Sequence, residues 1–406
     1  MEHIKKCLNP YRGLSKEIYV LFFSRIINCI GGFVHPLMSL ILTNKVGLSA
    51  SEAGTFVTIL AICQVPCTLI GGKMADSFGR KKIIVSFQIL GAVVLMICGF
   101  FPVSTLTAVF LIISSCFYSL SGPAFDALNA DITTAKNRQA AYSLLYMGVN
   151  VGFSIGPIIG GLLYANYLSL VFIGDAITTL IALFLIVIFI KESKGRNVEE
   201  QKKENELEAE VEGSTLKVLL ERPTILIFAF IILLYQFSYS QWGFALPIHL
   251  SNIFGSKDGA KLFGFLGACN GVVVILFTPV LVAATKKLSR VKVMALGGFL
   301  YTIAFAMFGM TKMIPVFFIG VIIMTIGEVL ISINEGVFIA DNTPASHRGR
   351  ISSILPLIMG AGYALGPSIT GRVIDHFGMY SAWMVTSLVV TVGAVAMFNL
   401  NRIKRK

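Results

Sequence analysis

Charge is what this 406-residue chain has least of. Only 13% of its residues are Asp, Glu, Lys or Arg, against roughly a quarter in an average soluble domain, while 55% are hydrophobic and the mean hydropathy is +0.81. A soluble surface needs more charge than that, so most of the chain is expected in lipid. Cysteine is also sparse: seven residues, an odd number, whose one close pair, Cys63 and Cys67, has no second pair nearby. This excludes a disulfide framework and a zinc-type ligand set, and no metal is expected. No phosphate loop and no nucleophile paired with a base are present, so neither an enzyme nor a cofactor is indicated, and energy is expected from an ion gradient rather than ATP. Acidic residues number 21 against 33 Lys and Arg, a net charge of +12, yet no basic patch is interleaved with aromatic residues. Nucleic acid is therefore excluded as a partner.

What the chain has instead is apolar length. A helix needs roughly 20 apolar residues to cross the hydrocarbon core, where no backbone polar group goes unpaired. Twelve stretches meet this, at about 17–42, 52–71, 83–101, 104–130, 140–164, 168–190, 223–249, 260–284, 291–311, 315–340, 350–374 and 380–400. The expected fold class is an all-α membrane protein of twelve transmembrane helices. Lys5, Lys6, Arg12 and Lys16 before the first stretch imitate a signal peptide, but the apolar run is too long and lacks a small-residue cleavage site. With both termini cytoplasmic, Lys45, Lys257, Lys261, Lys312 and Arg372 fall outside, Arg25 falls within a stretch, and all other Lys and Arg fall inside. That asymmetry obeys the positive-inside rule and points to the cytoplasmic membrane of a cell, with anionic lipid headgroups as partners.

The stretches divide in two. Residues 191–222 are the only long polar segment, a linker between an N-terminal bundle over 1–190 and a C-terminal bundle over 223–406. A shift of 210 residues lays Ala130-Asp131, Thr133, Ala135, Arg138, Ser143, Leu145, Gly152, Gly156-Pro157, Ile159 and Gly161 on identical residues starting at Ala340-Asp341. Two pseudo-symmetric six-helix bundles follow. Parallel repeats of this kind are an architecture of secondary transporters, with the substrate site between them.

One polar island interrupts the N-terminal half: "GGKMADSFGRKK", Gly71 to Lys82, between stretches 2 and 3. Gly72 is expected to let its helix approach a neighbour closely and Gly79 to allow a tight reversal, while Asp76 sits where a helix C-terminus disfavours an anion unless a cation answers it. Gly72, Ala75, Asp76, Gly79, Arg80 and Lys81 resemble the G-x-x-x-D-R/K-x-G-R-R/K signature of the major facilitator superfamily, with Ser77 in place of the usual basic residue. The resemblance implies that Asp76 and Arg80 form a cytoplasmic latch, with Asp131 and Arg138 as its neighbours. Stretch 5 carries Gly148, Gly152, Gly156 and Gly160 at four-residue spacing, one smooth face, with Pro157 to bend it. Gly152, Gly156, Pro157, Gly160 and Gly161 are similar to the antiporter motif of proton-coupled drug exporters of that superfamily; plain glycine packing is the competing reading.

Charges within the stretches each cost several kcal/mol unless paired, hydrated or protonated, so they mark function. They are Arg25, Asp126, Asp175, Glu328 and Glu335. Stretches 1, 4, 7 and 10 line the central cavity in the resembled family, which selects Glu328, Asp126, Glu335 and Arg25 for proton or cation coupling, Glu328 first because it lies near the midplane. Arg25 and Asp126 read equally as a gating ion pair, and Asp175 reads as structural. Tyr235, Gln236, Tyr239, Gln241 and Trp242 of stretch 7 offer rings and hydrogen bonds for a small amphipathic solute. His35 and His249 are expected as hydrogen-bonded structure. The favoured reading is a monomeric secondary transporter exchanging protons for drug-like compounds by alternating access. An importer or facilitator of a small polar metabolite is the alternative, and a non-transporting membrane sensor or scaffold the reading from another class.

Overall fold

The computed structural model describes residues 13–134, 137–193, 223–342 and 348–403. Most of the linker expected over 191–222 lies outside these. The described chain is α-helical, in the order α1 Lys16–Gly31, α2 Val34–Leu40, a π-helical turn Ile41–Val46, α3 Ala50–Phe78, α4 Arg80–Phe100, α5 Thr105–Asp131, α6 Arg138–Tyr164, α7 Leu168–Phe189, α8 Pro223–Gly243, α9 Ala245–Thr285, α10 Arg290–Met310, α11 Ile314–Asn342 and α12 Arg348–Ile403. Among the described residues, ten helical segments are long and apolar enough to cross a membrane. Two of them, Pro223–Thr285 and Leu355–Leu400, contain 63 and 46 residues, far beyond the roughly 20 that one crossing takes. Each bends at a glycine with positive φ, Gly255 at 81° and Gly378 at 80°. Only glycine takes that conformation at low cost, so the turn is written into the residue type.

Apolar runs make helices here because every backbone N–H and C=O must find its partner inside the segment. Their apolar side chains then face outward as well as inward: Ile62, Leu69, Phe184 and Phe189 are more than half exposed. On a soluble protein so much exposed apolar surface would aggregate; on this one it meets acyl chains.

The chain falls into two compact units, one within Met1–Gly47, Ile59–Asn197 and Ser256–Gly271, the other within Leu48–Thr58, Val198–Gly255 and Val272–Lys406. In the first, α4 packs on α5 and α7, and α1 on α6 and α7; in the second, α10 packs on α11 and α12, and α8 on α12. The pairing repeats, as the 210-residue similarity leads one to expect. The first core is built from small and aliphatic residues such as Leu21, Ile84, Ala124 and Leu128. The second has an aromatic centre: Trp383, fully buried, stacks on Phe305 with centroids 6.0 Å apart and donates Nε1–H to His249 Nδ1 at 2.9 Å. His249 is thereby a packing residue, as the sequence suggests.

The first turns of α3 belong with the second unit. Asp375 of α12 accepts hydrogen bonds from the backbone N–H groups of Ala50 (3.2 Å) and Ser51 (2.8 Å), and Thr58 Oγ1 donates to the Ala364 carbonyl at 2.7 Å. A carboxylate at a helix N-terminus meets both free N–H groups and the positive end of the dipole.

Candidate functional site

The polar island folds as a crossing point of four helices. α3 ends at Phe78, Gly79 turns the chain with φ at 107°, and Arg80 opens α4. The Arg80 guanidinium reaches Asp76 Oδ1 through Nη2 and Asp131 Oδ2 through Nε, each at 3.2 Å, and donates from Nη1 to the Ala75 carbonyl at 3.2 Å. The two pairs are unequal. The Asp131 side chain is 4% exposed and also accepts from Ser193 Oγ at 2.8 Å, whereas the Asp76 side chain is 74% exposed. Screening leaves a pair as exposed as Arg80–Asp76 little net strength, so Asp131 is the main anchor.

Glu192 completes the arrangement. Its carboxylate accepts the backbone N–H groups of Lys81 and Lys82, both at 3.3 Å, capping α4. Partial burial pushes its carboxyl up, but those N–H groups, with contributions from Arg80 and Ser193, more than reverse this and leave it below the ordinary 4.5. Lys81 Nζ donates to the Val187 carbonyl at 2.7 Å, and Arg138 opens α6 beside Tyr142. The close approach of α3 to a neighbour falls at Gly71, where an added Cβ would come within 2.8 Å of Leu120 Cα; at Gly72 it would meet only Pro123, at an ordinary 3.7 Å. Gly71 was within the quoted stretch, but one-residue phase is set by packing and not by the motif.

The second unit repeats the anchor. Arg290, which opens α10, pairs with Asp341 near the end of α11. The 210-residue shift lays Arg290 on Arg80 as well as Asp341 on Asp131, while the loop there lacks an aspartate equivalent to Asp76.

The glycines of α6 press on α1 and α2. A Cβ at Gly156 would lie 2.7 Å from the Cys29 carbonyl oxygen and 2.8 Å from that of Ile30; Gly148 faces Phe22, Gly152 faces Ile26 and Cys29, and Gly160 faces Phe33 and Leu37. Pro157 and Gly161 turn the other way, toward Gly264, Gly267 and Ala260 of α9. In the second unit Gly362 and Gly366 of α12 meet Leu233 and Phe237 of α8 in the same manner. The motif thus holds two helices at backbone contact.

The membrane-embedded charges separate into two groups. In the second unit, Glu328 sits at the middle of the 29-residue α11 and takes a hydrogen bond from the Tyr239 hydroxyl. Tyr239 stacks on Tyr301 at 6.0 Å, and Tyr301 also feels the charge of Glu335, two turns further along α11. Tyr235 and Gln241 are turned into the bundle: Tyr235 donates to the Met294 carbonyl at 3.2 Å, and Gln241 Nε2 donates to the Phe237 carbonyl at 3.0 Å. Gln236 and Trp242 are half-buried. In the first unit Arg25 lies over the Phe125 ring at 4.7 Å and shares a cavity of about 260 Å³ with Asp126, without forming an ion pair with it. Asp175 is buried at the edge of a second cavity, of about 290 Å³.

A family model described as Major Facilitator Superfamily matches residues 21–265 and 230–406. The chain belongs to that superfamily. Among relatives, a Na(+), Li(+), K(+)/H(+) antiporter of Planococcus maritimus is 25% identical over 358 residues, covering 82% of this chain and 84% of that protein. Multidrug resistance protein 1 of Bacillus subtilis (strain 168) is 33% identical over 174 residues, 42% of this chain and 43% of that one. The crystal structure of peptide transporter POT in complex with sulfate superposes with a TM-score of 0.75 at 14% identity, covering 97% of this chain and 95% of that one, a likeness of fold. This superfamily member is accordingly a multi-pass membrane transporter.

Proposed function

We propose that this transporter exports amphipathic or drug-like compounds in exchange for protons, by alternating access of two six-helix bundles. The reading takes the two long helical segments as two crossings each, for twelve in all, with both termini in the cytoplasm, in the cell membrane, and a single chain as the working unit. One observation carries it: Glu328, at mid-helix depth in α11, is hydrogen-bonded to Tyr239, which stacks on Tyr301. A carboxylate walled by aromatic rings suits a cationic or amphipathic solute, because rings supply apolar area and cation–π attraction while the carboxylate alternates between proton and solute. That an antiporter and a multidrug resistance protein are among the relatives supports the reading.

The test is transport in inverted vesicles with an imposed proton gradient, using a panel of cationic dyes and a fluorescence reporter of proton flux. Wild-type protein is expected to accumulate dye as protons leave the vesicle, and Glu328→Gln to lose that coupling. A Glu328→Gln protein that still builds a proton-dependent dye gradient refutes the assignment.

A further inference from the structure

Outside the arrangement just described, the first unit holds a buried carboxylate that no ion pair explains. The first membrane stretch is not one helix. α1 stops at Gly31, the Phe33 N–H returns to the Gly31 carbonyl at 2.7 Å, and Gly32 takes φ −68° and ψ 66°, an inverse γ-turn. α2 then starts at Val34 with a free N-terminus inside the bundle. Asp175 of α7 meets it, Oδ2 accepting the Val34 N–H at 3.1 Å. Asp175 is 8% exposed, and no Lys, Arg or His among the described residues lies within ion-pair distance of it.

The carboxylate is not sealed in. It borders the cavity of about 290 Å³, which shares Asn28, Gln88, Tyr118 and Thr179 with the cavity of about 260 Å³ that holds Arg25 and Asp126. The two cavities adjoin across these shared residues as a passage lined by α1, α2, α3, α4, α5 and α7. Its wall carries Tyr118, whose buried Oη lies beside Ser114 and Thr179 without a hydrogen bond of good geometry and feels the charge of Asp175. Asn28 is meanwhile committed to Thr179 through Nδ2 at 3.1 Å. A buried hydroxyl so weakly held, in a cavity large enough for water, is a place where water or a proton donor binds.

We propose that Asp175 is a second proton-binding site, reached through this passage and separate from Glu328. The step is one association: a proton from water in the passage adds to the carboxylate, which becomes a carboxylic acid, and water is left as the other product of the hydronium. The neutral acid is a weaker acceptor for the Val34 N–H than the carboxylate, and the positive end of α2 loses its counter-charge. Proton occupancy is thus converted into the stability of the break in the first membrane stretch, the helix whose other face carries the glycine contacts of α6. The titratable and charged groups that face the passage are Arg25, His35, Tyr118 and Asp126.

The experiment reads protonation and not transport, so it stands or falls independently of the export assignment. Infrared difference spectra of the full-length protein in lipid nanodiscs, recorded between about pH 5 and about pH 9, the span in which buried carboxyls titrate, are expected to show a protonated-carboxyl C=O band. That band is expected to persist in Glu328→Gln with one component fewer, to lose a different component in Asp175→Asn, and to shift in Tyr118→Phe, which keeps the carboxyl and removes its neighbour. In Asp175→Asn, amide exchange at Val34–Leu40 is expected to be about fivefold faster than in wild type at the same pH, the scale of a lost cap. Spectra of wild type and Asp175→Asn that superimpose overturn the proposal. Should Asp175→Asn fail to fold, an unshifted band in Tyr118→Phe overturns it.

Discussion

Gly156→Ala adds one carbon at a place where the backbone leaves no room. The new Cβ would lie 2.7 and 2.8 Å from the carbonyl oxygens of Cys29 and Ile30, whereas ordinary contact begins near 3.4 Å. α6 would therefore have to withdraw from α1 by about 0.7 Å, and because both obstacles are backbone, no side-chain rotation relieves them. Overpacking of this kind costs about 1–3 kcal/mol. Gly360→Ala is the control: nothing lies within 4 Å of its added carbon, and replacing glycine by alanine inside a helix gains up to about 1 kcal/mol. Equilibrium unfolding in mixed micelles, followed by circular dichroism, measures both. The expected result is a loss for Gly156→Ala and no loss for Gly360→Ala. Equal unfolding free energies for the two would refute the reasoning that these glycines act by close packing.

Two further outcomes follow from the polar end of the first unit. Arg80→Ala leaves Asp131 buried without its cation and is expected to cost about 3 kcal/mol, the low end for a broken buried pair, while Asp76→Ala, at an exposed carboxylate, costs under about 1 kcal/mol; the same unfolding assay ranks them, and equal losses would sink the claim that Asp131 is the main anchor. Glu192, whose carboxyl is held below the ordinary 4.5, contributes its stabilisation above that value and loses it as pH falls through the lowered pKa; in Glu192→Gln this acid-limb dependence is expected to vanish, along with about 0.3–1 kcal/mol at neutral pH, and a pH profile identical to wild type would contradict it.

Much of the fold was legible because lipid simplifies the code. Run length alone places most crossings, and Gly79 marks a reversal that only glycine accepts cheaply. Less was legible where partners come from distant segments. Asp131 and Arg80 were both noted, but the bond from Ser193 to Asp131 and the capping of α4 by Glu192 join positions 62 and more than 100 residues apart, and no local pattern links them. Asp175 read as a structural carboxylate on a peripheral helix, because nothing in "VFIGDAITT" reveals that Val34 opens a new half-helix in front of it. Tyr235 and Gln241 had the residue types of a cavity wall, yet the Tyr235 hydroxyl and Gln241 Nε2 are bonded within the bundle, a matter of helix rotation that the apolar surroundings on every side leave undetermined.

The sequence by itself determined that this is a helical membrane protein, that its halves repeat, and that one loop carries the superfamily's signature, because hydropathy, repetition and motif spacing are properties of the chain. Which charge meets which partner, where the first membrane helix breaks, and which glycine carries a close contact were decided only in three dimensions. Those outcomes depend on helix rotation and on separations of a few tenths of an ångström, which a string of residues does not encode locally.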